Sequence, residues 1–197
     1  MKKKCLLLSL VLTCIYGYSQ ELSCKMVQVY NGKVKSLTIL EPEIGKGCKY
    51  SFHEDGKTKC IEKDGMTIQF IWENDEEVRC ELINNGTTVH SEYIYVYEFN
   101  DSIYSFEAGG INYTIKFREN GTISSTQQES NGKTMTSVAY YKDNNEMYPY
   151  KIISQMGSQI QTSYIEIKKT DKYGNVTEYT QTSNGTTVYF KRKIEYY

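Results

Sequence analysis

Proline is scarce in the 197-residue chain, with Pro42 and Pro149 alone, and so are histidine (His53 and His90) and tryptophan (Trp72). Neither histidine lies near a G-x-S-x-G elbow, so no nucleophile–base pair can be recognised. No C-x-x-C occurs, and the histidines share no ligand spacing with the cysteines, which argues against a zinc centre. Asp75-Glu76-Glu77 lacks the Asp-x-Asp-x-Asp-Gly spacing of a calcium loop and reads as a solvated turn. No metal site and no cofactor is expected. No twelve-residue stretch beyond the N-terminal segment repeats apolar residues at i, i+3, i+4 and i+7, so helix is expected to be scarce. No apolar run beyond residue 19 reaches the length of a membrane-spanning helix.

The first nineteen residues are read as a signal peptide. Lys2, Lys3 and Lys4 precede an apolar stretch from Cys5 to Ile15, interrupted only by Ser9 and Thr13. Gly17 and Ser19 then place small residues at −3 and −1 of a cleavage site before Gln20. The stretch is too short for a hydrocarbon core of about 30 Å. Thr13 before Cys14 fits a lipid-anchoring site poorly. Soluble export is therefore expected, to a periplasmic, outer-surface or extracellular location. Residues 20–197 are expected to form a single domain. Of the 23 basic residues three lie in the leader, leaving 20 against 24 acids. A chain of that balance has no electrostatic reason to bind nucleic acid.

Cys24, Cys48, Cys60 and Cys80 remain after the leader. In an oxidising compartment four cysteines suggest two disulfides, with three possible connectivities. Cys48 and Cys60 flank the Asp55-Gly56 turn and are the favoured pair, leaving Cys24 for Cys80. A bridge of the shorter kind is worth about 3 kcal/mol in the chain-entropy model.

Turn dipeptides are plentiful. Asn31-Gly32, Asp55-Gly56, Asp64-Gly65, Asn85-Gly86, Asn120-Gly121, Asn131-Gly132 and Asn184-Gly185 accept the positive φ angles of tight hairpins. Gly109-Gly110 and Gly174-Asn175 add two more. Between them apolar and polar residues alternate. Ile111, Tyr113, Ile115 and Phe117 share one face, as do Met66, Ile68, Phe70 and Trp72. Val188, Phe190, Ile194 and Tyr196 do the same around a discordant Arg192. Period two with one wet face specifies half-buried antiparallel strands. Tyr93, Tyr95, Tyr97 and Phe99 alternate with Ile94 and Val96, which predicts a strand covered on both sides. The expected fold is all-β: an antiparallel meander of tandem hairpins forming one extended or curled sheet, with a small up-and-down barrel or sandwich as the alternative. Counting back from Tyr197 gives Glu195, Lys193 and Lys191, which disfavours an outer-membrane barrel.

Tyr50-Ser51-Phe52-His53-Glu54-Asp55-Gly56-Lys57, Phe117-Arg118-Glu119-Asn120-Gly121-Thr122-Ile123 and the segment from Ile167 through Asp171-Lys172-Tyr173-Gly174-Asn175 to Tyr179 resemble diverged YD repeats, the hairpin units of the Rhs family. The likeness spans roughly residues 48–197, although no unit keeps an intact Tyr-Asp-x-x-Gly. It implies strands paired with their sequence neighbours, in a binding or envelope-structural module rather than an enzyme.

Nineteen tyrosines are the most informative surplus. A ring on an exposed sheet face offers a stacking surface and a hydroxyl, which suits a sugar or a protein partner. Trp72, Tyr93, Tyr95 and Tyr97 are the stacking candidates. Glu92 and Glu98 are the acids to inspect for glycoside hydrolysis. The expectation is an exported, non-enzymatic β module that binds a glycan or protein partner at the cell envelope. A carboxylate-based hydrolase and a structural or assembly protein of the envelope are the alternatives.

Overall fold

The computed structural model describes residues 31–41, 46–55, 57–72, 77–99, 102–108 and 110–197, with the side chains at 41, 46, 77, 78, 92, 94–99 and 108 outside that description. The leader and Cys24 lie outside the described residues. Fourteen strands are present among them. They are β1 (Val34–Glu41), β2 (Lys46–Phe52), β3 (Thr58–Lys63), β4 (Met66–Trp72), β5 (Glu77–Asn84), β6 (Thr87–Phe99) and β7 (Ile103–Ala108). There follow β8 (Ile111–Phe117), β9 (Ile123–Ser130), β10 (Lys133–Tyr140), β11 (Lys151–Met156), β12 (Gln159–Thr170), β13 (Val176–Ser183) and β14 (Thr186–Tyr196). Each strand pairs antiparallel with its sequence neighbours, and β1 pairs with both β2 and β14. The meander read from the sequence is thus a curled sheet closed on itself.

Turn chemistry explains the register. Asp64-Gly65, Asn85-Gly86, Asn131-Gly132 and Asn184-Gly185 have both residues at positive φ, between 49° and 78°. That is the signature of type I′ turns, whose twist matches the strands they join. Lys63 accordingly pairs with Met66, Asn84 with Thr87, Ser130 with Lys133 and Ser183 with Thr186. Gly157, at φ 59°, makes a further tight turn between β11 and β12 that the sequence reading did not identify. Longer reversals join even-numbered strands to odd ones, so they gather at the opposite rim. Three share one hydrogen bond across four residues: His53 N to Lys57 O at 2.8 Å, Arg118 N to Thr122 O at 2.7 Å and Asp171 N to Asn175 O at 2.8 Å. These are the three segments that carry the YD-like pattern.

The connection 141–150 is pinned to this rim. Arg118 donates to the carbonyls of Asp143 (2.9 Å) and Glu146 (3.1 Å), and its guanidinium lies 3.9 Å from the centre of the Tyr141 ring. Tyr141 in turn donates its hydroxyl to Ile123 O at 2.8 Å.

Alternation places the core inside. Val34, Leu37, Ile39, Cys48, Tyr50, Phe52, Ile61, Ile68, Cys80, Leu82, Val176, Tyr179 and Phe190 form one buried cluster. Tyr104, Ile115, Phe117 and Ile123 form another, on β7–β9. Charged residues cover the outer face, as in the pairs Lys49–Glu62 (3.3 Å) and Lys169–Glu178 (3.1 Å). The expected faces of β4, β8 and β14 all point inward.

The cysteine pairing needs correction. Cys48 lies on the inner face of β2 with Tyr50, whereas Cys60 pairs with Ser51 and lies on the outer face. Their Cβ atoms point to opposite sides of the hairpin, so no bridge can form between them. No disulfide joins any two of Cys48, Cys60 and Cys80.

The glycine at the β13–β14 turn isolates a backbone effect. A Cβ added to Gly185 meets nothing within 4 Å, yet its φ is +78°. Gly185→Ala is expected to lower stability by about 1 kcal/mol through backbone strain alone. A urea titration should show a lower midpoint with an unchanged slope.

Candidate functional site

The expected stacking set is divided by the sheet. Trp72 shares the face of β4 that carries buried Ile68, which places it on the inner side. Its indole donates to Thr58 O at 2.9 Å, and Lys57 Nζ sits 5.3 Å from the ring centre. Tyr93 lies opposite Arg79 and is exposed on the outer face. Trp72 and Tyr93 therefore cannot stack on one ligand. The exposure of Tyr93 also corrects the expectation that this strand is covered on both sides. Tyr95 occupies the register position opposite Glu77 and Glu107, but the side chains of Tyr95, Tyr97, Glu92 and Glu98 lie outside the described residues.

A different set comes together on β10–β12. Register puts Tyr140, Lys151 and Tyr164 in one outward row, with Val138 beside Ile153 in a second and Gln155 beside Ile160 in a third. Lys151 Nζ lies 4.2 Å from the centre of the Tyr140 ring, within cation–π range. Ile160 is 66% exposed and Tyr164 56%, and Val138 and Tyr140 are exposed as well. On the inner side of the same segment stand Ser137, Ser154, Gln161 and Ser163. Ser137 and Ser154 share a hydrogen bond of 2.8 Å, and Gln161 donates to Ser183 at 2.8 Å. On β12 apolar Ile160 and Tyr164 lie outside and polar Gln161 and Ser163 inside, the reverse of the pattern on β8. Alternation in Gln159–Tyr164 was visible in the chain, but which half faced inward was not.

Arg192 is the inward exception on β14. It pairs with Ile39, and its guanidinium carbon lies 4.7 Å from the centre of Tyr179 and 5.5 Å from that of Tyr148. Ring faces there take part of the role of water around the cation.

Where the sheet closes, a polar network replaces apolar packing. Buried Asn175 accepts from Asn31 N (2.8 Å) and donates to Asn31 O (2.8 Å) and to the Tyr196 hydroxyl (2.7 Å). Tyr196 donates to Asp171, whose other oxygen accepts the backbone N–H groups of Tyr173 and Asn175, both at 2.9 Å. Burial first, and this bond to Asp171 second, push the Tyr196 phenol up to about 12. On the outer face Glu178 accepts from Tyr189 at 2.5 Å and from Lys169, which hold its carboxyl below the usual range.

Among the described residues no group of three or more His, Cys, Asp and Glu side chains has the geometry to hold a metal ion. No helix among them is long and apolar enough to cross a membrane. A scan against protein-family models finds none that matches this chain, and a search of curated proteins likewise finds no match.

The raised phenol has a pH consequence. An unfolded tyrosine ionises near 10. The stabilisation from Tyr196 is then complete below pH 10 and is lost as pH rises toward 12, because the folded state retains the proton longer. Urea midpoints measured from pH 9 to 11.5 should fall in this window, and the fall should be shallower in Tyr196→Phe. An identical pH profile in the two proteins would contradict the assignment.

Proposed function

We propose that this chain is an exported, non-enzymatic β module that binds a protein partner at the cell envelope through the outer face of β10–β12. The observation that carries the proposal is the row Tyr140–Lys151–Tyr164 with exposed Val138 and Ile160 beside it. Contiguous apolar and aromatic side chains on a surface otherwise charged are a recurrent mark of an interaction site. Tyrosine suits it, since a stiff ring contributes contact area at small entropic cost and keeps a hydroxyl for the rim. Lys151 between two rings favours a partner that sets a carboxylate opposite it.

The YD-like segments support the same reading through architecture. Repeated hairpins give a broad sheet face on which such a row can be displayed. The signal-peptide pattern of residues 1–19 supports export.

The test is chemical cross-linking of the tagged protein in the exporting cell, followed by identification of the adduct and a binding titration with the purified partner. Ile160→Asp and Tyr164→Asp should each weaken binding at least about tenfold, because each buries a carboxylate in the contact (about 1.4 kcal/mol per tenfold). Both sites are exposed, so the thermal midpoint should stay within about 2 °C of wild type, as for ordinary surface changes. Wild-type affinity in both variants would remove this face from the proposal.

A further inference from the structure

We infer that the partner met by the outer face of β10–β12 is a second copy of this chain, in a two-fold dimer that sets Lys151 of each protomer against Glu166 of the other. The inference rests on the partner face proposed above and specifies its occupant. Because β1 pairs with β14, the sheet keeps no open edge and cannot grow by strand addition. A second copy meets it face to face or not at all.

Charge selects the occupant. The row Tyr140–Lys151–Tyr164 continues through Thr182 on β13 to Thr187 on β14, whose hydroxyls share a bond of 2.8 Å. The next outward row runs from Glu166 through Thr180 to Tyr189. Lys151 and Glu166 are the only charged residues in these two rows. They stand on adjacent strands, since Lys151 pairs with Tyr164 and Glu166 lies two residues beyond it. Yet they are turned apart. Lys151 Nζ lies 4.2 Å from the centre of the Tyr140 ring and 5.8 Å from that of Tyr150, whereas Glu166 reaches along its own strand to Lys168. The Glu166 side chain is 71% exposed, and an ionised carboxylate accepts from more than one cation.

One cation and one carboxylate, offset on an otherwise uncharged face, make that face self-complementary. A two-fold axis lying in the plane of contact brings each of two exchanged positions opposite the other. Neighbouring strands are about 4.8 Å apart and alternate residues of one strand about 7 Å. An axis that bisects the line from Lys151 to Glu166 therefore passes close to Tyr164, which neighbours both. Each Lys151 then faces a Glu166, and the two Tyr164 rings, each 56% exposed, meet at the centre. An aromatic centre inside a charged rim is the anatomy of a specific contact. An axis along β11 would instead oppose Lys151 to itself, which like charge disfavours.

The experiment is sedimentation equilibrium of the purified chain from about 1 µM to about 1 mM, the range in which a contact of modest area saturates. Wild type is expected to interconvert between monomer and dimer. Lys151→Glu and Glu166→Lys should each weaken the dimer at least about tenfold, because each sets like charges face to face. The double variant should regain wild-type association to within about threefold. An equimolar mixture of the two single variants should form a heterodimer, since the facing charges are then opposite in sign. Variants that had merely misfolded would not recover on mixing. A monomer at every concentration would overturn the inference, as would a dimer indifferent to the single exchanges or a mixture that stays monomeric. A monomeric chain that is cross-linked to a different protein, and loses it in Tyr164→Asp, would overturn the second copy while leaving the partner face intact. A dimer that survives Tyr164→Asp would remove the face itself.

Discussion

The pairing of β1 with β14 is the constraint on which the rest depends. Every other strand pair joins neighbours in sequence and can form through a local reversal. This pair joins residues more than 150 positions apart, with Leu37 opposite Ile194 and Ile39 opposite Arg192. It also removes both edges of the meander at once, and open edges are where sheets add foreign strands. Several hydrogen bonds reinforce it. Tyr197 N donates to Lys33 O at 3.0 Å and its hydroxyl to Phe52 O at 2.6 Å, while Ser36 bonds Glu195 at 2.9 Å. The Asn175 network holds Asn31, Asp171 and Tyr196 at the same rim. Closure thus depends on directional bonds as well as on apolar burial, which fixes the register of the seam.

Closure has a second consequence, for what the interior must contain. Eight strands make a barrel that side chains can fill, whereas wider rings need bulk or leave space. Here the bulk is aromatic. Tyr50, Phe52, Tyr179 and Phe190 fill the arc around the seam, and Tyr104, Phe106 and Tyr113 fill the arc of β7–β8. Tyr179 and Phe190 stack with centroids 4.8 Å apart, as Phe106 and Tyr113 do. Many of the tyrosines that suggested a ligand surface therefore serve packing instead. Arg192 fits this setting because the faces of Tyr148 and Tyr179 receive its cation.

Much of this was legible in the chain. Asp64-Gly65, Asn85-Gly86, Asn131-Gly132 and Asn184-Gly185 marked four hairpin turns, because only residues tolerant of positive φ can occupy both corners of a type I′ hairpin. Asn120-Gly121, by contrast, has positive φ at the glycine alone and sits in a longer reversal. The face of β8 was legible because Ile111, Tyr113, Ile115 and Phe117 leave one choice for what is buried. Closure was not legible, since no local signal announces a partner so far away in sequence. The division between Trp72 and Tyr93 was hidden for another reason. Parity is inherited through the register of β4, β5 and β6, and both rows of β6 carry residues able to face inward. The Gly157 turn was missed because Gly-Ser is a weaker signal than Asn-Gly.

The segment Gln159–Tyr164 shows why the site itself escaped the sequence. Its alternation is clean, yet the rule that apolar residues face inward predicts the wrong face for it. Ile160 and Tyr164 are outside and Gln161 and Ser163 inside, because the strand is tied between neighbours whose register leaves no other choice. A one-residue slip would reverse the arrangement and bury the apolar set. The bonds from Ser137 to Ser154 and from Gln161 to Ser183 oppose that slip, since they reward the polar face for turning inward. Local preference and global fold thus disagree over Gln159–Tyr164 while they agree over β8. Natural sequences keep such conflicts chiefly where function requires them. An apolar outer face gains from being covered, and this gain is the physical basis of the partner face proposed on these strands.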